Sequence, residues 1–261
     1  MILIPVLDDF NPILEYSLAI EHETERGGDI MRSFLVFGDS VAKGIVIDKV
    51  TKKYITSKNS CVELFKDMTG NPVKNLSHFG STIIRATKLF YRHEKEINPE
   101  DQVVLEFGSN DCDFQWAEIA ANPDEIHLPN VPLEIFVSKY SDLIDLMREK
   151  GLNPILTNLS PIHAQKFFQW VSRGLDKDAI LHWLKDIEHI YRWQERYSIA
   201  VHEIAIAKKV PLINIRKKFL EPHNLTDYLC EDGMHPNEKG HQLIAEALCN
   251  SYNNQEILLA K

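Results

Sequence analysis

Short apolar runs recur along this chain, each closed by a polar or glycine-containing turn, and stretches with three- and four-residue apolar spacing separate them. The runs fall at 33–37, 72–76, 102–107, 154–159 and 210–215, the second being the weakest. They are continuous rather than alternating, as in strands covered on both faces in a parallel sheet. Between them, residues 60–69 set Val62, Phe65 and, less cleanly, Met68 on one face ahead of Gly70. Residues 132–150 do so more fully through Ile135, Phe136, Tyr140, Leu143, Ile144 and Met147, with Gly151 as the stop. Residues 186–208 repeat the spacing with Ile187, Ile190, Tyr191, Val201, Ile204 and Ala205, and 238–249 with Leu243, Ile244, Ala247 and Leu248. Strand alternating with helix predicts a doubly wound α/β domain.

Two regions fit this alternation poorly. Residues 1–31 precede the first strand and are expected to pack on the core as an N-terminal extension. Residues 161–200 crowd Phe167, Phe168, Trp170, Trp183, Tyr191, Trp193 and Tyr197 into an aromatic helical insertion. The domain proper is expected over 32–250, with a C-terminal tail at 251–261. The insertion's rings can pack helices onto the sheet, wall a substrate pocket, or form the contact surface of an oligomer.

Composition narrows the function classes. At 261 residues and 44% hydrophobic, the chain can bury one substantial core. A net charge of -9 argues against a nucleic-acid partner, because phosphate neutralisation needs a basic surface. Much of the excess is early, where seven acidic residues from Asp8 to Asp29 face Arg26 alone. Cys61, Cys112, Cys230 and Cys249 form no Cys-x-x-Cys pair, so free thiols in a reducing compartment are expected. The start lacks the basic segment of a signal peptide, and no stretch approaches the ~18–20 apolar residues that span a bilayer. The expectation is a soluble, cytoplasmic protein with no membrane span. The sequence contains no His-Glu-x-x-His, EF-hand, dinucleotide or P-loop pattern, and neither a metal nor another cofactor is expected. It also lacks the Gly-x-Ser-x-Gly elbow of α/β-hydrolases.

Candidate chemistry lies where the strands end. Phe37-Gly38-Asp39-Ser40, Ser77-His78-Phe79-Gly80 and Gly108-Ser109-Asn110-Asp111 each follow a predicted strand, and Asp232-Gly233-Met234-His235 precedes the last helix. In an open parallel sheet the carboxyl ends of the strands border the ligand crevice, so these segments converge whatever their spacing. A serine hydroxyl is a poor nucleophile until a base such as imidazole takes its proton, and the imidazole needs a partner on its other nitrogen. Asp232, three residues before His235, can be that partner.

The four segments, in this order, resemble those of the SGNH hydrolases, the GDSL-like esterases and lipases, over about 32–248. The resemblance implies a three-layer α/β/α sandwich with a five-stranded parallel sheet in the flavodoxin-like order 2-1-3-4-5. It implies Ser40 as nucleophile, His235 as base and Asp232 as its orienter. The oxyanion donors it implies are the backbone N–H groups of Ser40 and Gly80 and the side-chain amide of Asn110. Asp39 and Asp111 are expected to support these loops, and Glu106, which interrupts an apolar strand, to be a structural carboxylate with satisfied hydrogen bonds. His163, at the start of the insertion, and Met234 are candidate pocket residues. Singly, each segment also has a plainer reading: Gly-Asp-Ser as a strand-to-helix turn with a capping serine, Gly80 and Asn110 as turn residues, and His235 as a surface histidine.

The activity expected is hydrolysis of small acyl esters, acetyl first, of a sugar or similar polar alcohol. The alternatives are a thioesterase or lysophospholipase for longer chains, and a non-catalytic binding protein on the same fold.

Overall fold

The structure is a computed structural model, and it describes residues 32–254. The extension at 1–31 and most of the expected tail lie outside the described residues. Five parallel strands build the sheet: β1 (Phe34–Gly38), β4 (Val73–Asn75), β5 (Gln102–Glu106), β6 (Asn153–Thr157) and β7 (Leu212–Ile213). Their spatial order is β4-β1-β5-β6-β7, which is 2-1-3-4-5 when the five are counted along the chain.

Alternate residues of each strand feed opposite layers, as the two-residue period of a pleated strand requires. Leu35, Phe37, Val103, Leu105 and Leu156 face α3 (Ile83–His93), α5 (Leu133–Glu149) and α8 (His189–Lys208). Phe34, Val36, Val104, Ile155 and Ile213 face α1 (Ser40–Lys43), α2 (Cys61–Thr69), α9 (Ile215–Leu220) and α10 (Glu238–Asn253). Both faces are therefore covered, and the three-layer sandwich is the observed fold.

The boundaries depart from expectation in ways that have local causes. The run at 210–215 is only a two-residue strand, because the Asn214 side chain accepts from Lys217 N and starts α9. The last helix continues to Asn253, three residues into the expected tail. Met68 and Ile135 point to solvent, at 53% and 45% exposure, and are not core positions. Among the pieces not foreseen are α3, α9 and an antiparallel hairpin of β2 (Ile45–Ile47) and β3 (Tyr54–Thr56).

The insertion contains α6 (Ala164–Val171) and α7 (Lys177–Leu184). With α4 (Trp116–Ala121) they enclose a separate apolar cluster that includes Phe114, Trp116, Phe167, Phe168 and Ile180. None of the seven aromatic side chains of 161–200 is exposed; they pack inward. All four cysteines are free and buried. Among the described residues no helix is long and apolar enough to cross a membrane.

Candidate active site

β1 runs straight into a single helical turn, α1, and the turn is set by Asp39. Its carboxylate accepts from Val41 N at 2.8 Å, capping the turn and presenting Ser40 as its first residue. The capping residue is thus Asp39 and not the serine, whose hydroxyl is left for another partner. Glu106, at the end of the neighbouring β5, accepts from the N–H groups of Asp39 at 3.2 Å and Ala42 at 3.3 Å. Burial, and then the adjacent Asp39, push the Glu106 carboxyl well above its usual range. Burial also raises Asp39, with the Val41 N–H opposing it. Glu106 is therefore the satisfied structural carboxylate expected of it.

The late loop is folded by its own aspartate. Asp232 Oδ1 accepts from the N–H groups of Met234 and His235, each at 3.0 Å. Gly233 has a φ of +70°, and a Cβ there would lie 2.6 Å from the Lys166 Cβ, so only glycine fits. A backbone bond from Cys230 N to His235 O closes the loop at 2.8 Å. This leaves Asp232 Oδ2 2.6 Å from His235 Nδ1, and His235 Nε2 2.8 Å from Ser40 Oγ. Burial pushes the Asp232 carboxyl up, but its bonds and charge interaction with His235 outweigh that and hold it below the usual range. A carboxylate there fixes the imidazole tautomer with Nδ1 protonated, so Nε2 can take the serine proton.

The other predicted residues surround this line. Asn110 Nδ2 donates to Asp39 Oδ2 at 3.0 Å, which ties the asparagine loop to the serine turn and leaves one amide hydrogen for another acceptor. Gly80 has a φ of +67° and open space where a side chain would stand. Its loop is anchored by His78 N donating to Gly38 O at 3.1 Å, and the Phe79 ring lies nearly parallel to that of His235 at 6.1 Å. Asp111 is fully buried behind the site and accepts from Ile83 N, the start of α3, at 2.9 Å. It joins the asparagine loop to the helix that follows Gly80. Burial raises its carboxyl to about 7.

His163 caps α6, with Nδ1 accepting from Lys166 N, and its own N–H donates to Gly233 O at 2.7 Å. It braces the late loop from behind. Met234 lines a cavity of about 30 Å³ together with Ser109, Ile162, Phe167 and Trp193. Tyr54 was not foreseen: its O–H donates to Asp232 Oδ2 at 3.1 Å, and its ring lies 5.1 Å from that of His235.

The serine turn, the Gly80 loop and the Asn110 loop follow β1, β4 and β5, and β1 is the strand flanked by the other two. That is the switch point, where the strand order reverses and ligands bind in open α/β sheets. Residues 36–243 match the family of GDSL-like lipases and acylhydrolases.

The chain belongs to this GDSL-like family.

Solved structures of similar proteins cover most of the chain. A lipase/acylhydrolase from Enterococcus faecalis is 19% identical, with a TM-score of 0.62 over 86% of this chain and 97% of its own. A GDSL-like lipase from Bacteroides thetaiotaomicron VPI-5482 is 16% identical, with a TM-score of 0.55 over 92% and 97%. An acetyl xylan esterase is 18% identical, with a TM-score of 0.56 over 84% and 98%. At these identities the likeness is one of fold. A comparison with curated proteins finds no match. For this GDSL-like chain, the family assignment supports an ester hydrolase.

Proposed function

We propose that this protein is a serine esterase that removes small acyl groups, acetyl first, from a polar alcohol such as a sugar, through an acyl-enzyme. The observation that carries the reading is the unbroken line from Ser40 Oγ through His235 to Asp232, with both contacts at hydrogen-bond length. Ser40 Oγ attacks the acyl carbon as its proton passes to His235 Nε2, and Asp232 stabilises the imidazolium. The resulting oxyanion accepts from the N–H groups of Ser40 and Gly80 and from the free amide hydrogen of Asn110. Collapse breaks the bond to the alcohol, which leaves with the proton held on His235. Water then attacks the acyl-serine, passing its proton to His235, and release of the carboxylic acid returns that proton to Ser40.

The acetyl xylan esterase among the similar folds supports the choice of an acetyl group. Two exposed rings beside His235, Tyr54 at 37% and Phe79 at 48%, offer a stacking surface to a sugar on the alcohol side. Four buried free thiols support a reducing compartment, the cytoplasm.

The test has two arms. A fluorophosphonate labels the wild type and not Ser40→Ala, and hydrolysis of p-nitrophenyl esters is greatest at acetyl in a series from acetyl to dodecanoyl. A wild type that never labels favours a non-catalytic binder, and a maximum at octanoyl or beyond rejects the short acyl group.

A further inference from the structure

Asp232 is fully buried, and a carboxylate offers about four lone-pair sites. Two are taken on Oδ1 by the amides of Met234 and His235. On Oδ2 one is taken by His235 Nδ1 and the other by the Tyr54 hydroxyl, at 2.6 and 3.1 Å. Tyr54 does not belong to the late loop. It stands on β3 of the hairpin, 178 residues away in sequence, and the hairpin is pinned to the loop a second time by the Lys52–Glu231 ion pair. Its ring is held among Phe79, Trp170 and His235, with centroids 5.4, 6.0 and 5.1 Å away.

We infer that Tyr54 is a positioning residue for catalysis, completing the hydrogen-bond shell of Asp232 and moderating how strongly that carboxylate holds the His235 proton. The inference rests on the esterase reading above. Burial and the nearby Asp232 raise the phenol, so Tyr54 remains an O–H donor throughout the working pH range. A donor on Oδ2 draws charge from the carboxylate. Removing it makes Asp232 a stronger partner for the imidazolium, which then keeps its proton to higher pH. Other charged or titratable groups around this line, among the described residues, include Asp39, Cys230, Glu231, His241, Lys52 and Lys166. All remain in a Tyr54→Phe variant.

In Tyr54→Phe, kcat falls about tenfold while KM for a small ester changes less than about twofold, as expected for one bond to a charged group. The acid limb of the kcat/KM profile moves up by about half a pH unit. Added to Asp232→Asn, the same substitution costs less than about twofold, because the carboxylate through which Tyr54 acts is gone. The low-field NMR resonance of the His235 Nδ1 proton, which needs no turnover, shifts in Tyr54→Phe. An unmoved resonance, an unmoved acid limb, an equal loss in both backgrounds, or an effect on KM alone overturns the inference. Failure of Ser40 to label in the wild type counts against the esterase reading, and the resonance then decides the role of Tyr54 separately.

Discussion

Asn110 shows how much one side chain is asked to do here. One of its amide hydrogens is held by Asp39, and the other is the side-chain member of the oxyanion hole proposed above. Truncation to alanine removes that donor together with the bond to Asp39, and leaves in place the bonds that join Ser40, His235 and Asp232. Asn110→Ala is therefore expected to lower kcat by about 10²–10³-fold, with fluorophosphonate labelling of Ser40 slowed but retained. Steady-state kinetics with p-nitrophenyl acetate check this, and an unchanged kcat would remove Asn110 from the hole. At this scale the sequence was informative where chemistry demands a rare grouping: Ser40, Asp232 and His235 are joined as read. Tyr54 was not legible, because nothing in its local pattern points to a partner 178 residues on. Phe79 was quoted only as a neighbour of Gly80, and its position over His235 follows from the loop's path.

The loops place these side chains, and two glycines separate backbone need from space. Both Gly80 and Gly233 have positive φ, at +67° and +70°. A methyl at position 80 meets nothing within 4 Å, whereas at 233 it would lie 2.9 Å from the backbone of His163 and Phe167. Gly80→Ala is expected to cost about 1–2 kcal/mol of stability for its left-handed backbone and to keep measurable activity. Gly233→Ala must displace the Asp232 loop, so esterase activity falls by at least about tenfold beyond any change in Tm. Thermal melts beside kcat/KM separate the two; equal behaviour of the two variants would contradict this account of the loops.

Elements with a continuous apolar run were legible, as in 33–37 and 102–107. The β2–β3 hairpin was not, because all three residues of β3 are exposed and leave no alternation to read. Helix α3 was blurred by Ile84 and Tyr91, apolar residues that face solvent at 43% and 56%.

For the whole molecule, burying carboxylates under the proposed catalytic surface has a cost that depends on pH. Asp111 titrates near 3.8 when unfolded and at about 7 in the folded chain, so between these values the folded state binds the extra proton. Its contribution to stability is therefore present below about pH 4 and is lost as pH rises toward 7. His241 acts oppositely: burial lowers it from 6.5 to about 4, so its stabilising contribution is lost as pH falls through that range. Relative to Asp111→Asn, the wild type is expected to lose on the order of 4 kcal/mol between pH 4 and 7. Denaturant melts of both proteins at several pH values test this, and parallel curves would contradict it.

The sheet order was legible because four segments, met in order, imply one family and one topology. The two-layer cover could be read only as helix faces, since which helix lies on which side depends on crossovers that local pattern does not contain. The central claim is that an acyl group passes through Ser40. Rapid quenching of the wild type during turnover of p-nitrophenyl acetate, followed by peptide mass spectrometry, is the most direct measurement of it. The account predicts an acetyl group on the peptide that contains Ser40, at Ser40 itself. An unmodified Ser40 during turnover, together with undiminished hydrolysis by Ser40→Ala, would contradict it.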